Sequence, residues 1–232
     1  MINLLRPIYV GLKIRLGRDE DGGYVTTEKS INDSVALFSY GISDDISFEE
    51  DYIKLSGKNC YSFDHTIDKI KTIYPDSFFF NKEGLSGIKT LQTTNFIEHY
   101  NQRNINGRVL LKIDIEENEY EYFLNTDIKL LSKITTGIII EFHWLEKEKF
   151  RNLFIECISK LNNFFYICHI HGNNYSNTFK WNNQSIPNVL ELTFVPKELN
   201  PNAIIDTATY PTELDRPNFF GVKDYDLSFL SL

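Results

Sequence analysis

The chain has 232 residues, 42% hydrophobic and 14% aromatic, enough apolar material for one domain (1–232) with a full core. A formal net charge of -8 excludes a sequence-independent grip on nucleic acid, which needs a basic face. Three cysteines, Cys60, Cys157 and Cys168, are too few and too scattered for a disulfide framework. Residues 1–18 are broken by Arg6, Pro7, Lys13 and Arg15, and no later run is long enough to cross a bilayer, so a cytoplasmic setting without a membrane span is expected.

Residues 1–34 read as a lead-in, with a turn at Asp21-Gly22-Gly23 before the short β-type run 24–27. The core, 35–196, opens with an apolar strand at 35–40 and a turn at 41–45. Ser47 with Glu50 three residues on reads as a capping box that opens a helix to about Ser56. Strands follow at 59–63 and 78–81, then a loop at 84–87 and a helix near 94–104. Residues 109–113 are an apolar run interrupted only by Lys112, as a strand buried on both faces requires. A short helix ends near Ile134, and residues 137–142 form a fifth strand. Residues 147–161 carry apolar side chains at Phe150, Leu153, Phe154, Cys157 and Leu161, a helical period. Two more strands, 165–171 and 189–195, precede a mostly polar tail, 197–232. Strands alternating with helices imply an α/β protein with a doubly wound, parallel sheet.

In such sheets ligands sit at the carboxyl ends of the strands, and polar chemistry collects there in this chain. Gly41 follows the first strand, with Ser43 and Asp44 behind it, and would let a ligand approach backbone. Asp64 follows the second, placed either to hydrogen-bond ribose hydroxyls or to cap a helix before Ile67. Asp114 and Glu116 leave the fourth strand two residues apart, so a continued strand would point both to one side. Glu117, Glu119 and Glu121 fit a helix N-terminus, where exposed N–H groups favour acids. Glu141 with His143, and His169 with His171, alternate onto one face after the next two strands. No G-x-G-x-x-G fingerprint is present, which disfavours a nicotinamide enzyme.

The run Lys112-Ile113-Asp114-Ile115-Glu116 with Glu119 resembles the K-I-D-x-E-G-x-E signature of FkbM-like methyltransferases that use S-adenosylmethionine. In order along the chain, D-G-G-Y-V at 21–25, S-Y-G-I-S-D-D at 39–45, F-D-H-T at 63–66, I-E-F-H-W at 140–144, H-G-N-N at 171–174 and L-E-L-T at 190–193 resemble blocks of the family's bacterial subgroup. Glu117 departs from it, standing where the family usually has glycine. The resemblance implies a Rossmann-like class I methyltransferase fold, seven strands with the last antiparallel, and S-adenosylmethionine over the first and second strand ends. It also implies O-methylation of a polar small molecule, often a sugar or sugar nucleotide of a surface polysaccharide. On that basis Gly41, Ser43, Asp44, Phe48, Asp64 and His65 are expected at the cofactor. His143 is the expected base, with Asp114, Glu116 and Glu141 around the substrate. A divalent cation, Mn²⁺, Fe²⁺, Zn²⁺ or Mg²⁺, on Asp114, His143 and His171 competes with the free-base role for His143. A non-catalytic nucleoside-binding module is the alternative of another class.

Overall fold

The apolar runs assemble into one sheet in a computed structural model that describes residues 2–230. Its strands are β1 (Ala36–Tyr40), β2 (Asn59–Phe63), β3 (Phe78–Asn81), β4 (Val109–Ile113), β5 (Thr135–Phe142), β6 (Phe165–Gly172) and β7 (Leu190–Pro196). They lie in the order β3-β2-β1-β4-β5-β7-β6, with β7 antiparallel to both neighbours and the other pairs parallel. This is the Rossmann-like class I arrangement expected from the sequence, antiparallel last strand included.

Alternation along the inner strands explains why both faces are covered. Phe38, Leu111 and Ile138 feed the larger apolar core, while Leu37, Leu110 and Ile139 point through to a second one. Each such side chain contributes roughly 1.5–3 kcal/mol on burial. The helices are α1 (Glu28–Asp33), α2 (Ser47–Ser56), α3 (Phe96–Gln102), α4 (Glu119–Asn125), α5 (Ile128–Ile134) and α6 (Glu148–Leu161). The amphipathic face of α6 buries Phe154, Cys157, Ile158 and Leu161. Lys112 does more than lay its stem on apolar surface. Its ammonium is buried 3.9 Å from Glu49 Oε1 and 5.1 Å from the centre of the Tyr24 ring. Glu49 also accepts from Ser39 Oγ at 2.5 Å, so these polar contacts join α2 to the sheet.

Several expectations are corrected. Helix α2 begins at Ser47, but Ser47 does not cap it. Asp45 accepts from both the Ser47 N–H and its hydroxyl, at 3.0 and 3.1 Å. No helix joins β2 to β3: residues 64–77 form turns and bends, so Asp64 caps no helix. Its carboxylate instead closes a short turn onto Thr66. The polar tail is mostly loop, as expected, and buries Asp206, Tyr210, Asp215 and Asn218. The lead-in run becomes a hairpin, Lys13–Leu16 against Tyr24–Thr27.

After Ile113 the strand stops, and Glu116 (φ +49°) and Glu117 (φ +77°) turn through the left-handed region. Glu117 therefore adopts the backbone that glycine takes freely, which explains how the turn survives the departure from the family pattern. Its side chain is exposed and makes no hydrogen bond among the described residues. Glu117→Gly should thus relieve strain and stabilise the fold by about 0.5–1 kcal/mol, visible as a raised Tm in thermal unfolding. A lowered Tm would mean that the glutamate side chain supports the turn.

Candidate functional site

The site begins with the way β1 meets β4. Gly41 (φ +73°) lies so close to the end of β4 that a Cβ there would sit 1.5 Å from the Asp114 carbonyl oxygen. The Asp114 N–H donates to the Tyr40 carbonyl at 3.0 Å, and the Gly41 N–H to the Phe63 carbonyl at 2.9 Å. Three strand ends are thereby drawn together, and Asp114 projects where they converge.

Three cavities open around it. The largest, about 640 Å³, is lined by Gly41, Ser43, Asp64, His65 and Thr66 on the β1 and β2 side, by Leu85 and Thr93 from the loop after β3, and by Asp114 and Glu116. A second, about 280 Å³, lies beneath Gly22 and Tyr24 and is bordered by Gly41, Ser43, Asp44, Phe48 and Asp114. A third, about 300 Å³, is walled by Asp21, Asp114, Glu116, Glu141 and His143, with Trp144, Asn173 and Tyr175 at its sides. The six residues expected at the cofactor are thus divided. Asp64 and His65 face only the first cavity, Asp44 and Phe48 only the second, and Gly41 and Ser43 border both.

Asp64 is buried and held from three directions. Its Oδ2 accepts from the Ser43 N–H at 2.9 Å, and its Oδ1 from the Thr66 N–H and hydroxyl at 2.8 and 2.6 Å. A carboxylate offers about four acceptor positions, so one remains.

In the third cavity the acids and His143 meet. His143 Nδ1 is 2.5 Å from Glu119 Oε1, while Nε2 stands 3.8 Å from each of Asp114 Oδ1, Glu116 Oε2 and Glu141 Oε1. Asp114, Glu141 and His143 each offer an atom within 4.8 Å of the others, a spacing that could hold a metal ion. The Tyr24 hydroxyl lies 3.0 Å from Asp114 Oδ2 and 3.1 Å from Glu141 Oε2, and its single proton cannot serve both at once. Asn173 Nδ2 donates to Glu141 Oε1 at 2.8 Å. Burial, reinforced by Asp114, pushes Glu141 well above the usual carboxylate range. Burial works against the His143 imidazolium, but the Glu119 hydrogen bond and the charges of Glu141, Glu119 and Asp114 outweigh it and raise the group to about 10.

His171 does not join this group. Its Nδ1 is 3.0 Å from Glu191 Oε2 and its Nε2 is 2.9 Å from Asp224 Oδ2, so both ring nitrogens are engaged and neither is left for a metal. His169 is likewise bonded to Asp215, at 2.8 Å. Glu116 reaches the cavity through its left-handed turn rather than by continued strand alternation, and its side chain is exposed. The sequence reading missed two contributors. Glu119 looks like an ordinary acid of a helix first turn but is fully buried. Tyr24 carries no signal beyond its place in the D-G-G-Y-V block.

The sequence pattern of the Methyltransferase FkbM domain matches residues 23–168, a span that takes in Tyr24, Gly41, Asp64, Asp114, Glu119, Glu141 and His143 and ends inside β6. No match is found among curated proteins. Among solved structures the chain is similar to the fibrillarin pre-rRNA processing protein of Methanococcus jannaschii, at 12% identity and a TM-score of 0.41 over 72% of this chain and 68% of that one. It is also similar to a candidate rRNA-methylase from Clostridium thermocellum, at 6% identity and a TM-score of 0.39 over 71% of this chain and 90% of that one. Neither likeness is close enough to bear on the site. The FkbM match covers more than half of the chain, including the ends of β1, β2, β4 and β5 that line the cavities, and the chain belongs to the FkbM family of S-adenosylmethionine-dependent methyltransferases.

Proposed function

We propose that the protein methylates a hydroxyl of a polar small molecule, a sugar or sugar nucleotide of a surface polysaccharide, with S-adenosylmethionine in the largest cavity and the acceptor in the acidic one. The observation that carries this reading is the shared wall: Asp114 and Glu116 line both cavities, so the two ligands would meet across them. When bound, S-adenosylmethionine supplies an activated methyl group on a sulfonium. The residues present suit it. The cavity of about 640 Å³ is of cofactor size, and Asp64 keeps one acceptor position for a ribose hydroxyl. Gly41, Ser43 and His65 line it as well.

Among the described residues no lysine or arginine lines the acceptor cleft; its polar groups are carboxylates, amides, hydroxyls and the His143 imidazole, beside Trp144 and Tyr175. That chemistry suits a neutral polyol, whose hydroxyls donate to carboxylates and whose apolar face packs on aromatic rings. The chain's part in the reaction is to align the hydroxyl with the methyl group and to receive its proton. His143 Nε2, with no hydrogen bond among the described residues, is placed for that role among Asp114, Glu116 and Glu141, once the imidazolium that these acids favour has given up its Nε2 proton.

The same nitrogen can instead hold a divalent cation, Mn²⁺, Fe²⁺, Zn²⁺ or Mg²⁺, with Asp114 and Glu141 replacing the expected set that included His171. A cation there would offset the crowded carboxylates, orient a diol and lower the pKa of the reacting hydroxyl. The donor set fits, since two carboxylates and one imidazole lie close together and Nε2 makes no hydrogen bond among the described residues, so that an ion would take the place of its proton.

Asp64→Ala should weaken S-adenosylmethionine binding by about 1.5–3 kcal/mol in titration calorimetry, the range for a charge-assisted hydrogen bond. An unchanged affinity in a folded variant would remove Asp64 from the ribose. His143→Ala should lower turnover roughly 10²-fold or more while cofactor affinity holds. Exhaustive chelation separates its two roles. Lost turnover restored by one added ion marks a metal ligand, whereas undiminished turnover with no metal by elemental analysis marks a free base.

A further inference from the structure

Glu119 is fully buried at the start of α4, where a first-turn acid would ordinarily face water. Taking a carboxylate into the core is costly unless it is well bonded, yet its Oε2 has no hydrogen-bond partner. The exception is the contact of its Oε1 with His143 Nδ1 at 2.5 Å. That contact fixes the rotation of the ring and leaves Nε2 as its one available nitrogen. The side chain of His143 is 10% exposed, so Nε2 is not simply solvated.

Around Nε2 the geometry is that of ligands without a hydrogen bond. Asp114 Oδ1, Glu116 Oε2 and Glu141 Oε1 all stand at 3.8 Å, beyond hydrogen-bond reach. Ligand atoms about 2.0–2.2 Å from a common ion lie roughly 3.3–3.6 Å apart in a tetrahedral site, so a closure of a few tenths of an ångström would bring these atoms onto one ion. The Tyr24 hydroxyl lies within hydrogen-bond distance of the other oxygen of each carboxylate, Asp114 Oδ2 and Glu141 Oε2, which leaves Oδ1, and Oε1 with its bond from Asn173, on the His143 side. A carboxylate on the far ring nitrogen of a metal-binding histidine orients the ring and raises its ligand strength.

We propose that Glu119 is the positioning residue that commits His143 Nε2 to a metal ion, and that the resulting imidazole ligand makes the site prefer Mn²⁺, Fe²⁺ or Zn²⁺ over Mg²⁺. This rests on the cation reading of the proposed function. The competing explanation is a structural one: the Glu119 and His143 pair ties α4 to the end of β5 and has no bearing on metal.

The test uses the full chain, stripped of metal by a chelator and titrated with Mn²⁺ under electron paramagnetic resonance, with no acceptor present. The wild type should bind Mn²⁺ and keep most of it against an about hundredfold excess of Mg²⁺. Glu119→Gln, nearly isosteric, should bind Mn²⁺ about 10–100-fold more weakly while keeping its affinity for S-adenosylmethionine. Wild-type Mn²⁺ affinity in Glu119→Gln, or displacement by equimolar Mg²⁺, overturns the inference while the cation reading stands. No Mn²⁺ binding by the wild type overturns both. Should Glu119→Gln fail to fold, nitrogen NMR of histidine in the wild type decides. A proton on Nδ1 of His143 with an Nε2 resonance that moves on adding Zn²⁺ supports the role, and an Nε2 resonance unmoved by Zn²⁺ refutes it.

Discussion

The contact between Gly41 and the end of β4 is the constraint on which the site depends. Strand order runs outward from β1 to β2 and β3 on one side, and from β4 to β5 on the other, so the crevice between β1 and β4 is the switch point of the sheet. Only a residue without a Cβ lets the two ends close to the observed distance, since any side chain would collide with the Asp114 carbonyl. The closure brings Asp114 to a position where it lines all three cavities. Had the ends splayed, the largest cavity and the acidic cleft would exist apart, with no shared wall across which the proposed transfer could pass.

Two carboxylate and histidine systems lie on this rim, and they differ in whether they are closed. His171 sits between Glu191 and Asp224, and His169 bonds to Asp215. Asn218 donates to Glu191 at 2.7 Å, and Asn174 holds the Phe219 N–H at 2.7 Å. These bonds bring the C-terminal tail onto β6 and β7. Burial opposes the His171 imidazolium, but Glu191 and Asp224 outweigh it and keep the group well above its ordinary value, as befits an ion pair that serves structure. His143 is anchored at one nitrogen only, and its other nitrogen faces three carboxylate oxygens at non-bonding distance. Saturation marks the first system as a fastening. Incompleteness in the second is what the proposed base or metal role draws on.

The sheet was largely legible because both-faces-buried strands leave continuous apolar runs, and β1, β2, β4 and β5 lie close to where those runs predict. The connection from β2 to β3 was not, because the alternation of strand and helix is a rule about folds, whereas Asp64 locally prefers to bond Thr66. Asp114, Glu141 and His143 were found from their places at strand ends. Glu119 was misread because an acid in a first helical turn looks the same in sequence whether the turn faces water or the core. His171 was misassigned for a related reason: its saturating partner, Asp224, lies in a tail whose local pattern reads only as polar and carries no sign of where it packs. Tyr24 meets Glu141 across 117 positions of chain, a pairing that only the folded sheet creates.

The claim at the centre is that nucleoside and acceptor sites meet at Asp114, with the open side of His143 turned toward the junction. The most direct measurement is a crystal structure of the protein with S-adenosylhomocysteine and Mn²⁺, with the ion located by its anomalous scattering. The expected result is a nucleoside beside Asp64 and one anomalous peak about 2–2.3 Å from Asp114, Glu141 and His143 Nε2. A nucleoside elsewhere, or an anomalous peak away from this triad with His143 Nε2 bonded directly to a carboxylate, would contradict it.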